Sequence, residues 1–242
     1  MIIAGLQKLT LIDYPGKLAA TVFLAGCNFR CPWCYSSELV LPKKIKKQPK
    51  IPEKEFFDFL EKRKGILEGI VLCGGEPTIN KDLPDFAAKI KKFGYSIKLD
   101  TNGSNPKMLR ELINKKMIDY VAMDIKAPLG LNFQFPIPNF QINPNSQIPK
   151  YENEIKKSVE LLKNSRIDFE FRTTVIPTIH TKQDILKIAK WIGDPNVKYY
   201  LQNFRAEKTI DSKFEKVKPY PDKYLLEIQK AISPFFKTCR IR

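Results

Sequence analysis

The chain has 242 residues, 43% hydrophobic and 28% charged, which is enough for one substantial buried core and excludes a largely disordered state. Lysine and arginine total 42 against 26 acidic residues, a formal charge of +16, so nucleic acid and acidic protein surfaces are the partners to weigh. The excess comprises 34 lysines and 8 arginines, and lysine lacks the planar fork that reads phosphates and base edges, so specific nucleic-acid recognition is weakly supported.

Six short β-branched or aromatic runs read as strands: Ala20–Ala25, Gly69–Cys73, Tyr95–Thr101, Tyr120–Ile125, Asp168–Ile176 and Val197–Phe204. Their near-continuous apolarity suits strands covered on both faces. After the first, Pro42–Pro52 packs five lysines into Lys43–Lys50 and reads as a solvated loop, followed by a helix over Glu53–Arg63. Between the second and third, Leu83, Phe86, Ala87, Ile90 and Phe93 keep helical spacing, and Gly94 supplies the stop. Asn105–Pro106 opens the next helix. Pro128–Lys150, with five prolines and four asparagines, reads as a lid, a docking surface or disorder. A helix over Tyr151–Lys163 follows it. Thr181 and Asp184 resemble a capping box ahead of Ile185, Ile188, Ala189 and Ile192, and a last helix is expected at Asp222–Ile232.

Strand and helix alternating six times predict parallel strands joined by right-handed crossovers. A full eight-unit barrel needs about 250 residues, so six units with long loops suit a partial, open (β/α)6 TIM-like barrel, with a doubly wound sheet as the alternative. Reactive groups then belong at the C-terminal ends of the strands. A single domain over 1–242 is expected, with a core of about 17–205 and a helical extension over 206–242. The apolar stretch Leu18–Gly26 is far shorter than the roughly 20 residues of a membrane span, which points to a soluble, cytoplasmic protein.

Chemistry concentrates in the cysteines. His180 is the only histidine, which excludes sites needing two or three imidazoles. Of five cysteines, Cys27, Cys31 and Cys34 lie within eight residues, after the first predicted strand. Structural zinc would want a fourth ligand, and a thioredoxin-like pair at Cys31 and Cys34 would leave Cys27 unexplained. A [4Fe–4S] cluster on three thiolates uses all three and leaves one iron open to a small molecule. Gly74-Gly75-Glu76-Pro77 follows the second predicted strand, where the glycines would let backbone approach a ligand and Glu76 could accept from an ammonium. Leu99-Asp100-Thr101-Asn102-Gly103 and Met123-Asp124-Ile125-Lys126 close the next two strands with polar clusters, and Arg172 interrupts the apolar fifth. Cys73 reads as a small buried strand residue, Cys239 has no partner set, and His180 reads as a loop residue rather than a general base.

The cysteine spacing with Trp33 before the third thiol resembles the radical S-adenosylmethionine (SAM) enzymes. That resemblance implies Cys27, Cys31 and Cys34 on the cluster and Gly74, Gly75 and Glu76 at the methionine amino group. It also implies Lys126 on the methionine carboxylate. Asp100, Thr101 and Asp124 would surround the amino group or a bound monovalent cation, with Asn102 beside them and Arg172 reaching the cofactor. The run Gly5-Leu6-Gln7-Lys8-Leu9-Thr10-Leu11-Ile12-Asp13-Tyr14-Pro15-Gly16-Lys17 and Arg172-Thr173-Thr174-Val175 resemble the activating proteins of anaerobic ribonucleoside-triphosphate reductase. Such a protein would take one electron from a low-potential donor such as flavodoxin or ferredoxin. It would cleave SAM to methionine and a 5′-deoxyadenosyl radical, and abstract hydrogen from one glycine of a partner glycyl radical enzyme. Tyr35-Ser36 after the third thiol, where many activators carry His-Asn, and Gln202-Asn203-Phe204 depart from that pattern. A radical enzyme acting on a small molecule or RNA is the alternative, with the Lys43–Lys50 run as its RNA contact.

Overall fold

The computed structural model describes residues 1–130 and 151–242. Strands β1 (Ile3–Thr10), β2 (Ala19–Leu24), β3 (Gly69–Gly74), β4 (Ser96–Thr101), β5 (Tyr120–Asp124), β6 (Asp168–Val175), β7 (Asp194–Asn203) and β8 (Phe236–Ile241) form one open sheet. They lie in chain order from edge to edge. A doubly wound sheet reverses order at a switch point, and this one does not, so the open-barrel reading stands. β1 runs antiparallel to β2, and every later neighbour is parallel.

The helices are α1 (Ser37–Val40), α2 (Pro42–Ile45), α3 (Glu53–Lys62), α4 (Leu83–Lys92), α5 (Pro106–Asn114), α6 (Glu152–Lys163), α7 (Lys182–Ile192) and α8 (Asp222–Ile232). Local chemistry sets their ends. Asn105 accepts from the Met108 N–H at the start of α5, Thr181 and Asp184 form the expected capping box, and Gly94 stops α4 at φ +90°. A short helical turn, α2, and a bridge from Ile51 to Ile3 occupy Pro42–Pro52, expected to be loop, and a further turn, α1, precedes them. Residues 206–242, expected as a helical extension, hold α8 but also β8, which joins the sheet beside β7. The reading of Pro128–Lys150 as lid, docking surface or disorder falls almost wholly on 131–150, outside the described residues.

The core lies between the sheet and the helices. Val22, Leu24, Ile70, Leu72, Ile97, Leu99, Val121, Met123 and Phe171 pack there with Phe56, Leu60, Phe86, Ile90, Leu112 and Ile188. Strand alternation turns the next residue along to the concave face, and there polarity takes over. Lys98 and Glu170 are 2% and 0% exposed. Charges buried so deeply survive only with partners. Lys98 Nζ lies 2.9 Å from Asp100 Oδ1 and donates to the Asp13 carbonyl at 2.5 Å. Glu170 takes a forked pair from Arg242 at 2.7 and 3.1 Å and a third hydrogen bond from the Tyr120 hydroxyl. The concave face is thus a charged lining, open at the C-terminal ends of the strands.

Candidate active site

All thirteen residues singled out from sequence line one cavity at those strand ends: Cys27, Cys31, Trp33 and Cys34 after β2, Gly74, Gly75 and Glu76 after β3, Asp100, Thr101 and Asn102 at β4, Asp124 and Lys126 at β5, and Arg172 on β6. Cys73 shares the wall, so it is not merely a packed strand residue.

The cysteine loop is held from two sides. Gly75 and Glu76 donate their N–H groups to the carbonyls of Leu24 and Gly26 at 2.8 and 2.7 Å. A Cβ on Gly75 would lie 2.0 Å from the Gly26 oxygen, and one on Gly74 2.3 Å from the Leu24 oxygen. The glycines are therefore required by backbone against backbone at the foot of the cysteine loop, a demand that stands beside the ligand approach expected from the sequence. On the other side, Asn28 donates to Ser104 at 2.7 Å and accepts from Asn102 at 3.0 Å, which ties the loop to the end of β4. Neither Asn28 nor Ser104 was legible as a site residue, because an asparagine and a serine in loops carry no pattern of their own.

A strap over 205–217 closes the outer side of the loop. Ile210 and Asp211 donate backbone N–H groups to the carbonyls of Cys34 and Pro32 at 3.1 and 2.9 Å. Phe214 packs against Trp33 with ring centroids 6.1 Å apart, and the Tyr35 hydroxyl accepts from the Arg205 N–H at 2.8 Å.

Glu76, 1% exposed, is the tie between β3 and β4. Its Oε1 accepts from the Thr78 N–H and hydroxyl and from the Thr101 hydroxyl at 3.1, 2.5 and 2.7 Å, and its Oε2 accepts from the Asn102 N–H at 2.6 Å. Burial still pushes its carboxyl above the usual range. Oε2, with one donor, retains capacity for an ammonium.

Across β4, β5 and β6 the charges alternate. Arg172 Nε binds Asp124 Oδ1 at 2.9 Å and its Nη1 binds Asp100 Oδ2 at 3.1 Å, while Lys126 Nζ lies 3.2 Å from Asp124 Oδ2. The register sets Asp124 opposite Arg172, so this pairing is built into the ladder. Burial raises the Asp124 carboxyl, but Arg172 and Lys126 outweigh it and hold it at about 2. For Lys126, desolvation is outweighed by Asp124 and the nearby Cys31 and Cys34, which keep it firmly cationic. Asp100 Oδ1 is buried, in ion-pair reach of Lys98, yet receives no hydrogen bond.

The donor set fits an iron–sulfur cluster. Burial pushes the Cys27 thiol up to about 12 and Cys31 to about 11, and raises Cys34 as well. Thiolates at such positions need a cation bound directly to sulfur. Among the described residues no three His, Cys, Asp or Glu side chains form a ready cage for a single metal ion. A cluster makes no such demand, since each thiolate takes its own iron.

Comparison with known proteins gives the same class. The model of the radical SAM superfamily matches residues 21–192, and the chain belongs to that superfamily. It is a radical SAM enzyme, of a family that works with a [4Fe–4S] cluster and SAM. A Methanocaldococcus jannaschii protein named "Putative glycyl-radical enzyme activating enzyme" is 33% identical over 245 residues, covering 100% of this chain and 95% of its own. A 7-carboxy-7-deazaguanine synthase of Aquifex aeolicus is 35% identical over 91 residues, 37% of this chain and 38% of its own. The crystal structure of QueE from Escherichia coli superposes with a TM-score of 0.55 at 16% identity, covering 100% of this chain and 93% of that one, a likeness of fold. No helix among the described residues is long and apolar enough to cross a membrane.

Proposed function

We propose that this chain generates a glycyl radical on a partner enzyme, the anaerobic ribonucleoside-triphosphate reductase. The carrying observation is the relative named for glycyl-radical activation, which matches the chain from end to end and not only through its cofactor core. The N-terminal run through Asp13 supports it from inside the fold. The Asp13 carbonyl accepts from buried Lys98, and its carboxylate accepts from Thr21.

In this reading Cys27, Cys31 and Cys34 hold the cluster, with Trp33 packed behind the loop. Lys126 takes the methionine carboxylate, and Glu76 Oε2 with Asp100 and Thr101 takes the ammonium. Asp124 and Arg172 fix Lys126 and Asp100 in place, Asn102 ties the cysteine loop to β4, and Gly74 and Gly75 let that loop sit close. A monovalent cation would have to share Asp100 and Asp124 with Arg172, which already binds both. When bound and given one electron, cluster and SAM supply methionine and a 5′-deoxyadenosyl radical that takes a hydrogen atom from the partner's glycine. The chain contributes position and exclusion of water.

The test is anaerobic reconstitution with candidate reductases and a low-potential donor such as flavodoxin. A glycyl doublet in the EPR spectrum, absent with Cys31→Ala, is expected; SAM cleavage without a glycyl signal on any reductase would overturn the partner. The stretch shared with the deazaguanine synthase favours a second reading, a small-molecule substrate. Turnover of a purine-like compound without any protein partner would establish it.

A further inference from the structure

His180 is 1% exposed and lies at the end of the turn that follows β6, beside the cavity but outside the set of residues assigned above. Both ring nitrogens are used. Nδ1 accepts the Ile176 N–H at 3.1 Å, and Nε2 meets the Lys126 carbonyl at 3.0 Å. A backbone N–H can only donate and a carbonyl can only accept, so Nδ1 is bare and Nε2 carries the proton. The ring is therefore a neutral bridge of fixed tautomer. Burial, which lowers its affinity for a second proton, favours the same state.

The bridge stands where the β5–β6 ladder stops. Ile125 N–H still donates to Arg172 O at 2.8 Å, the Ile125 carbonyl is taken by the Thr173 hydroxyl at 2.7 Å, and the next carbonyl, Lys126, by His180. Side chains thus continue the ladder for two residues beyond the strand. The turn is bent to deliver the ring. Thr178 sits at φ +73°, a strained conformation for a β-branched residue, the His180 N–H returns to Ile176 O at 2.8 Å, and Tyr220 donates to the His180 carbonyl.

We propose that His180 is a positioning residue for SAM, acting through Lys126: by holding the Lys126 carbonyl it fixes where the Lys126 ammonium stands between Asp124 and the cysteine loop. The proposal rests on the reading of Lys126 as the carboxylate contact. Two variants separate positioning from mere support. His180→Gln keeps a donor where Nε2 was and loses the acceptor at Nδ1. His180→Asn keeps an acceptor where Nδ1 was and loses the donor to Lys126. Each removes one buried hydrogen bond, so the two should melt within a few degrees of each other.

On reconstituted protein under anaerobic conditions, SAM affinity by equilibrium dialysis should stay within about twofold for His180→Gln and fall about tenfold for His180→Asn. Equal losses in both would overturn the proposal. Nitrogen-15 spectra of the single labelled histidine supply a readout independent of SAM, with a bare Nδ1 and protonated Nε2 expected at pH 8. The opposite tautomer would overturn the bridge itself. If the tautomer is as expected but Lys126→Met binds SAM normally, the carboxylate assignment of Lys126 fails and the positioning role falls with it, leaving the bridge intact.

Discussion

At the scale of single residues, Glu76 shows how a binding group can also be a structural one. Its carboxylate satisfies four donors from Thr78, Thr101 and Asn102, all buried. Glu76→Ala removes the acceptor of all four, and each unmet buried donor costs on the order of 1–3 kcal/mol before relaxation. We expect a loss of about 3 kcal/mol in urea unfolding, in addition to weaker SAM binding. Glu76→Gln, which keeps one acceptor oxygen, should recover part of the stability. Loss of SAM affinity with unchanged stability would mean that the tie between β3 and β4 carries nothing.

His180 makes a second prediction at this scale. Its proton affinity in the fold is depressed below the ordinary 6.5, first by burial, against the opposing pull of the Lys126 hydrogen bond and of Asp184. Below pH 6.5 the unfolded chain therefore binds a proton that the folded chain refuses, and stability falls as pH drops. One such proton is worth at most about 1.4 kcal/mol per pH unit. His180→Gln should flatten the slope of unfolding free energy between pH 6.5 and 5, measured by denaturant titration at each pH. The sequence could offer only a lone histidine before a helix cap. Its tautomer depends on Lys126, 54 positions away, which no local pattern reveals.

At the scale of elements, legibility followed burial. Strands β2 to β7 read directly from the sequence because their core-facing residues are apolar and mostly β-branched or aromatic, even where the concave face carries charge. β1 escaped because only Ile3 and Thr10 of its eight residues are buried, so neither alternation nor a continuous run marks it. β8, Phe-Lys-Thr-Cys-Arg-Ile, reads as a basic tail because only Phe236 of its six residues is buried and both its charges, Lys237 and Arg240, are exposed. The strap over 205–217 was invisible for another reason: it holds the cysteine loop through backbone hydrogen bonds, which carry no side-chain signature. Phe214, 3% exposed, is its one buried apolar side chain, with Val217 packed against the same cluster. Phe214→Ala should cost about 3 kcal/mol if the strap stays ordered, or release it altogether. Either way the Cys34 and Pro32 carbonyls lose their fixed donors, and the reconstituted protein should give up iron to a chelator several times faster. Unchanged iron release would show that the loop keeps its shape unaided.

At the scale of the whole molecule, the concave side of the open sheet is lined with charge more than with hydrocarbon. Along the concave face Lys98, Asp100, Arg172, Asp124 and Lys126 alternate in sign towards the mouth, and deeper in, Glu170 joins β6 to the end of β8 through Arg242, two strands away. Arg242 also lies over the Tyr200 ring, 3.5 Å from its centroid, so guanidinium, ring and carboxylate form one stack that fixes β8 against β7. A buried carboxylate stripped of its cation is worth more than the pair's own net contribution. Arg242→Met should therefore cost about 3 kcal/mol, while the double variant Glu170→Gln, Arg242→Met, which removes both charges, should recover most of it. Denaturant unfolding of the two singles and the double completes the cycle. Its coupling energy decides whether the eighth strand is held by this ion pair or by the apolar contacts of Phe236 with Tyr199, whose rings sit 4.8 Å apart. A coupling near zero would assign the hold on β8 to those rings, and Phe236→Ala would then be the variant that frees this edge strand.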